Sequence, residues 1–277
     1  MIRPTILLVL AAGACAGPDS SERVLLVTTH SVEDSGLLES LTAAFHQAHG
    51  DVTLTTTAVG SGAALALGRR GDADVLLTHD PDGEARFMAE GHGHEQGPVM
   101  EGTFLIAGPS SDPAGVAGMT DAVAALRAIA AAEARFLSRG DDSGTHAKER
   151  DLWRRAGMEP WADRRGWYIE SGLGMAETLQ TGTQLGTYLL TDGATFRQLA
   201  PVIRLVPLVR SDPLLANPYV YTLPRRQRNA DGARIFVDWL TGPGQDVIGG
   251  YGTDRFGTPV FVPASSAISE AGPAGGE

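Results

Sequence analysis

Phe136-Leu-Ser-Arg-Gly-Asp-Asp-Ser-Gly-Thr-His146 is where the chain changes its period. An apolar run over 134–137 has strand length, Gly140 and Gly144 interrupt it, and a helical pattern begins near Thr145. A helix start leaves its first backbone N–H groups without acceptors and carries a partial positive charge. Here it is lined by the hydroxyls of Ser143 and Thr145 and preceded by the guanidinium of Arg139. Such a junction suits a small anion. It equally suits a capped helix in which Ser143 or Thr145 holds the first turn and Arg139 pairs with Asp141 or Asp142. The choice turns on whether the junction stands alone.

It does not. Upstream, a strand over 24–27 ends at Thr28-Thr-His-Ser31, a hydroxyl-rich loop. After Asp34 and Ser35, both good N-cap types, Leu37, Leu38, Leu41, Ala44, Phe45 and Ala48 fall at helical spacing. A β-rich run over 52–59 then breaks at Gly60-Ser61-Gly62 before a short helical segment over 63–67. A strand over 74–78 and a helix over 82–90, with Phe87 and Met88 inward, follow. Downstream, the helix after Thr145 turns Leu152, Trp153 and Ala156 inward. Strands over 167–170, 187–190 and 202–206 alternate with a helix over 175–185, and a last helix over 230–240 carries Ile235, Phe236 and Trp239 inward. This alternation predicts an α/β protein with mostly parallel sheets, and the apolar segments 99–107 and 219–222 read as two strands crossing between lobes.

In an open α/β sheet, ligands sit outside the carboxyl ends of the strands. Thr28, Thr29 and Ser31 lie there after one strand, Ser61 after a second, and Ser143, Gly144 and Thr145 after the central one. The first two junctions belong to the front of the chain and the third to its middle, so a ligand held by all three sits between two lobes. Hydroxyls, backbone N–H groups and one arginine form a donor-only set, which suits a compact tetrahedral oxyanion. Both Asp141 and Asp142 are expected to point away, because a carboxylate facing a deprotonated dianion is repulsive.

At 277 residues, 43% hydrophobic and 20% charged, the chain has the composition of a globular protein of one large or two modest domains. A formal net charge of −11 with no Lys/Arg cluster argues against a nucleic-acid partner and leaves anion capture to local donors. Gly91-His-Gly-His-Glu95, with His79 upstream, invites a metal reading, but it lacks helical spacing and cysteines, so neither metal nor cofactor is predicted. No Gly-x-Ser-x-Gly elbow occurs, and Ser143 and His146 are neighbours only in sequence, so no enzyme is predicted.

The N-terminus has one early positive charge, an apolar run and then Ala12-Gly13-Ala14-Cys15, a secretory signal pattern too short to span a membrane. Cys15 is the only cysteine, and its setting resembles a bacterial lipobox, in which the cysteine is lipidated. Residues 16–23 read as a tether, and 264–277, small, polar and rich in Gly and Pro, as a disordered tail. The predicted location is outside the cytoplasm, in the periplasm or at the outer face of the membrane, lipid-anchored at Cys15.

Six motifs together carry a resemblance: Thr28-Thr-His-Ser-Val-Glu-Asp-Ser-Gly-Leu-Leu38, Gly71-Asp-Ala-Asp-Val75, Ser138-Arg-Gly-Asp-Asp-Ser-Gly-Thr-His146, Trp167-Tyr-Ile-Glu170, Gly174-Met175 and Tyr188-Leu-Leu-Thr-Asp192. The chain resembles the tungstate-binding proteins of bacterial ABC transporters over roughly residues 24–200. The resemblance implies a type II periplasmic-binding-protein fold, two α/β lobes joined by two crossing strands and closing on a tetrahedral oxyanion. It divides the chain into 24–107 and 209–263 for one lobe and 108–208 for the other. It implies ligand contacts from Thr28, Thr29, Ser31, Ser61, Arg139, Ser143, Gly144 and Thr145. This chain departs from the family pattern at His30, where a third threonine is usual, and at Glu101-Gly-Thr103. The expected function is an extracytoplasmic solute-binding component that hands an oxyanion, tungstate first, to a membrane permease, working as a monomer. Molybdate, phosphate or sulfate binding on the same fold, and a secreted hydrolase, are the alternatives.

Overall fold

Buried residues run through Arg23–Thr29, and this strand, β1, is the axis of the first lobe. The computed structural model describes residues 23–163 and 165–266. Cys15 with its signal pattern, the tether up to residue 22 and the tail from 267 onward lie outside the described residues. From β1 the chain passes directly into α1 (His30–Asp34) and α2 (Leu37–Ala48), then β2 (Thr53–Val59), α3 (Ser61–Arg70), β3 (Val75–Thr78) and α4 (Pro81–Ala89). The long strand β4 (Gly93–Pro109) leads to α5 (Ala122–Ala131), β5 (Phe136–Ser138), α6 (Gly144–Arg155), β6 (Tyr168–Glu170), α7 (Met175–Leu185), β7 (Leu189–Asp192), α8 (Gly193–Leu199) and β8 (Leu205–Val209). After a 3-10 turn at Pro213–Leu215 come β9 (Ala216–Pro224), α9 (Ala230–Thr241), α10 (Gly244–Gly250), α11 (Thr253–Phe256) and β10 (Val262–Pro263).

The sheet of the first lobe runs β10-β4-β9-β3-β1-β2. β1 is parallel to β2 and β3, whereas β9 is antiparallel to β3 and β4 is antiparallel to β9. Beyond Thr103, β4 leaves β9 and pairs antiparallel with β7 and β8 of the second lobe, where β5 and β6 are parallel. The expectation of mostly parallel sheets is therefore corrected to mixed sheets: every pairing made by the connecting strands β4 and β9 runs against its neighbour. The chain passes between lobes near 103/104 and again near Leu215, because Phe104 and Leu215 join the second core while Met100 and Tyr219 join the first. The first passage falls inside the apolar segment 99–107, and the second lies ahead of 219–222.

Each lobe has its own core. Phe45, Phe236 and Trp239 meet edge-to-face and stacked in the first, with Phe45 and Phe236 centroids 5.1 Å apart. Ile235, expected inward, is 37% exposed, and α9 buries Ala233, Phe236, Val237 and Leu240 instead. The loop expected after Thr29 is the helical turn α1. α3 continues past Gly68 because that glycine is pressed against Leu76 and Phe87, and the helix stops at Gly71, whose φ of 81° serves the C-terminus. At the end of the described chain, Ser265 N–H donates to Gln245 Oε1 at 3.2 Å, so residues 264–266 are attached rather than free.

In the second lobe, Phe136 lies parallel to Tyr168 (5.9 Å) and takes the edge of Trp153 (5.2 Å). This stack fixes the base of the loop that follows β5. Tyr168 Oη donates to Glu149 Oε1 at 2.7 Å, and Glu149 Oε2 accepts the Arg139 backbone N–H at 3.3 Å. Burial pushes the Glu149 carboxyl up to about 7.

Candidate functional site

Two helix starts meet where the lobes meet. α3 is capped by Gly60, which has no side chain to accept from its first N–H groups. α6 faces it from the other lobe, so closely that a Cβ on Gly60 would stand 3.7 Å from Ser143 Cα. A Cβ on Gly144 would stand 2.9 Å from His79 Cε1 and 3.0 Å from Ser61 Oγ. Both termini carry partial positive charge, and the Gly144 and Thr145 N–H groups have no intrahelical acceptor. Ser61 Oγ is buried between them without a hydrogen-bond partner among the described residues.

Arg139 enters from the strand end of β5, 3% exposed. Its Nε donates to Leu173 O at 2.9 Å and its Nη2 to Asp141 Oδ2, while Nη1 has no protein acceptor among the described residues. The charge reaches across the cleft, since it helps hold the His79 imidazole down and opposes the rise of the Asp192 carboxyl. Asp141 Oδ1 accepts from Ser143 Oγ at 2.6 Å, and Ser143 Oγ accepts the His146 N–H at 3.3 Å as the cap of α6. The structure shows the capped helix and its ion pair, and these brace a loop that still offers N–H groups and Nη1. Asp142, with φ 55° and its side chain 94% exposed, points to solvent. His146 turns Nδ1 to the Asp142 N–H at 3.0 Å and not to Ser143 Oγ, so the two do not form a nucleophile and base pair.

From the first lobe, Thr29 Oγ1 and Ser31 Oγ lie 3.0 Å apart. Thr28 is turned the other way: its Oγ1 donates to Leu77 O at 3.0 Å, so that hydroxyl is engaged in tying β1 to β3. Ser31 Oγ also lies 3.2 Å from His79 Nε2 and 3.0 Å from Tyr219 Oη. Burial holds the His79 imidazole down to about 4 and pushes the Tyr219 phenol up. Asp192 caps α8 by accepting the Thr195 N–H on Oδ1, and its buried Oδ2 has no partner among the described residues. Burial raises its carboxyl above the usual range.

A family model described as a PBP superfamily domain matches residues 16–243. The tungstate-binding protein TupA of Peptoclostridium acidaminophilum is 36% identical over 280 residues, covering 95% of this chain and 96% of that protein. This chain belongs to the tungstate-binding protein family of the PBP superfamily. Two solved structures of the family superpose on it. One is the tungstate ABC transporter protein of Geobacter sulfurreducens, with 38% identity, a TM-score of 0.74 and coverage of 84% of this chain and 100% of that one. The other is TupA of Desulfovibrio alaskensis G20, with 36% identity, a TM-score of 0.72 and coverage of 87% and 98%. These relatives are binding and transport proteins, not enzymes.

As in the fold this family implies, two α/β lobes are linked by two segments and the anticipated junctions meet between them. The sequence reading missed His79, Asn217, Tyr219 and Asp192. Two of them carried a signal, because His79 directly follows β3 and Asp192 ends β7, the strand positions where ligands gather. The Gly91–Glu95 histidines sit elsewhere: Gly93 starts β4, and His92 lies 3.5 Å from Glu90. Among the described residues no group of three or more metal-ligating side chains comes together.

Proposed function

We propose that this protein is the extracytoplasmic solute-binding component of an ABC transporter and captures a tetrahedral oxyanion, tungstate in preference to others, between its lobes. The observation that carries this reading is the face-to-face meeting of the starts of α3 and α6. Two like partial charges oppose closure unless an anion lies between them. Ser61 Oγ, Thr29, Ser31, Thr145, the Gly144 N–H and Arg139 Nη1 would supply donors, with Thr28 and Ser143 bracing the frame. The names of the relatives support tungstate, and the outward Asp142 and engaged Asp141 leave neither of those carboxylates to repel a dianion.

Calorimetric titration of the protein with tungstate, molybdate, sulfate and phosphate tests the reading. Tungstate and molybdate should bind stoichiometrically and unaltered, with phosphate failing at large excess. Because a charge-assisted hydrogen bond contributes roughly 1.5–3 kcal/mol, Arg139→Ala should weaken binding about ten- to a hundredfold. Wild-type affinity in a folded Arg139→Ala protein would mean that the guanidinium serves only Asp141.

The orphaned Asp192 Oδ2 favours a second reading, a monohydrogen oxyanion such as phosphate, whose proton needs an acceptor. Tight phosphate binding that disappears in Asp192→Asn would establish it. We further propose anchoring through lipid on Cys15, delivery of the anion to a membrane permease, and action as a monomer. Cys15→Ser should release the protein from membranes with binding intact.

A further inference from the structure

His79 is buried at the heart of this site and held at both ring nitrogens. Nδ1 is 2.9 Å from Asn217 Oδ1, and Nε2 is 3.2 Å from Ser31 Oγ. Asn217 Nδ2 donates to Tyr219 Oη at 3.1 Å, and Tyr219 Oη lies 3.0 Å from Ser31 Oγ. The four side chains close a ring of hydrogen bonds. With Asn217 Oδ1 facing it, Nδ1 carries the imidazole proton and Nε2 is a lone pair, so the hydrogen that meets Nε2 is that of Ser31. A hydroxyl has a single proton. Ser31 therefore spends on His79 the proton that an oxyanion would need, and Thr29, 3.0 Å away, points its own at Ser31.

A second proton on the imidazole reverses this bond. Nε2–H then donates to Ser31 Oγ, the Tyr219 hydroxyl fills the other lone pair, and the protons of Ser31 and Thr29 turn to the cleft. On the binding reading above, we propose that His79 is a positioning residue that takes up one proton from solvent when a dianionic oxyanion is captured, converting Ser31 and Thr29 into ligand donors. The anion itself stays deprotonated.

The surrounding charges leave a place for that proton. Arg139, the cation facing His79 from the loop after β5, is already paired with Asp141. Tyr219 from β9 is uncharged, Phe104 from β4 and Gly144 from α6 bring no ionisable group, and Ser61 from α3 is a hydroxyl. The cavity of about 300 Å³ beside the ring is lined by Asp80, Asp82 and Asp151 against Lys148 and Arg155. Without an anion, burial keeps the imidazole neutral at physiological pH. Charging it fully at pH 7.5 takes more than about a ten-thousandfold shift in its proton equilibrium, and a neighbouring dianion acts in that direction.

The test is calorimetry of sodium tungstate binding to the whole protein at about pH 7.5, in buffers of different ionisation enthalpy, with affinity followed as pH rises. We expect uptake of about one proton per anion and about a tenfold loss of affinity per pH unit. In His79→Gln, weaker binding should show neither. Tight wild-type binding without proton uptake overturns the proposal, because a flip of Asn217 with a change of tautomer would then free Ser31. Uptake that persists in His79→Gln and vanishes in Asp192→Asn also overturns it and moves the proton to Asp192. Absence of any oxyanion binding removes this proposal together with the reading beneath it. If His79→Gln does not fold, the His79 ring resonance of the wild type decides: it should move to the imidazolium position on adding tungstate, and a static resonance sinks the idea.

Discussion

Gly144 has room for a hydrogen and nothing larger, since its missing Cβ would press on His79 and Ser61 across the cleft. Overpacking of this kind costs roughly 1–3 kcal/mol, and here the cost falls on the closed arrangement alone. Gly144→Ala should therefore fold normally and bind tungstate about five- to a hundredfold more weakly. Titration with a thermal melt of the free protein checks this, and an unchanged affinity would show that the lobes stand further apart in solution. Glycines beside hydroxyls are legible in sequence because turn chemistry is local, as at Gly60-Ser61-Gly62 and Ser143-Gly144. The ring around Ser31 is not, because its bonds join residues 48, 138 and 188 positions apart. Nor does a sequence reveal which hydroxyls are engaged: Thr28 and Thr29 are adjacent, yet β alternation sends one to Leu77 and leaves the other beside Ser31.

α6 does two jobs, presenting its first turn to the cleft and burying Glu149 one turn further along, where Glu149 holds the Arg139 backbone. The folded carboxyl binds its proton more tightly than the ordinary value of 4.5 allows, titrating near 7. A raised acid pKa means that the folded state holds the extra proton, so stability is lost as pH climbs from 4.5 to 7 and remains lost above. Relative to Glu149→Gln, the wild type should lose roughly 2–3 kcal/mol between about pH 5 and pH 8, read by urea unfolding. Parallel curves for the two proteins would show that Glu149 keeps its charge inside. The existence of α6 and of most elements is legible from apolar periodicity. The direction of β4 and β9 is not, because apolar alternation reports which face of a strand is buried and not which way its neighbour runs, and antiparallel pairing here follows from how the chain returns between lobes.

At the scale of the whole molecule, a net charge of −11 opposes the approach of any anion. Screening this field should speed association as ionic strength rises, while dissociation from the closed site changes little. Stopped-flow measurement of tungstate binding across salt concentrations checks it, and an on-rate that falls with salt would point to a local positive funnel instead. β4 gives the molecule a timetable as well as a spine. Residues 104–215 are contiguous and contain the second core, whereas the first core joins strands near residue 24 to helices beyond residue 230. On a chain made from its N-terminus, the second lobe can close as soon as its own residues are available, while the first waits for the last fifty to be made. The part of the site that carries Arg139 is thus built before the part that carries Ser31 and His79, and pulse-labelled hydrogen exchange during refolding should find its amides protected first.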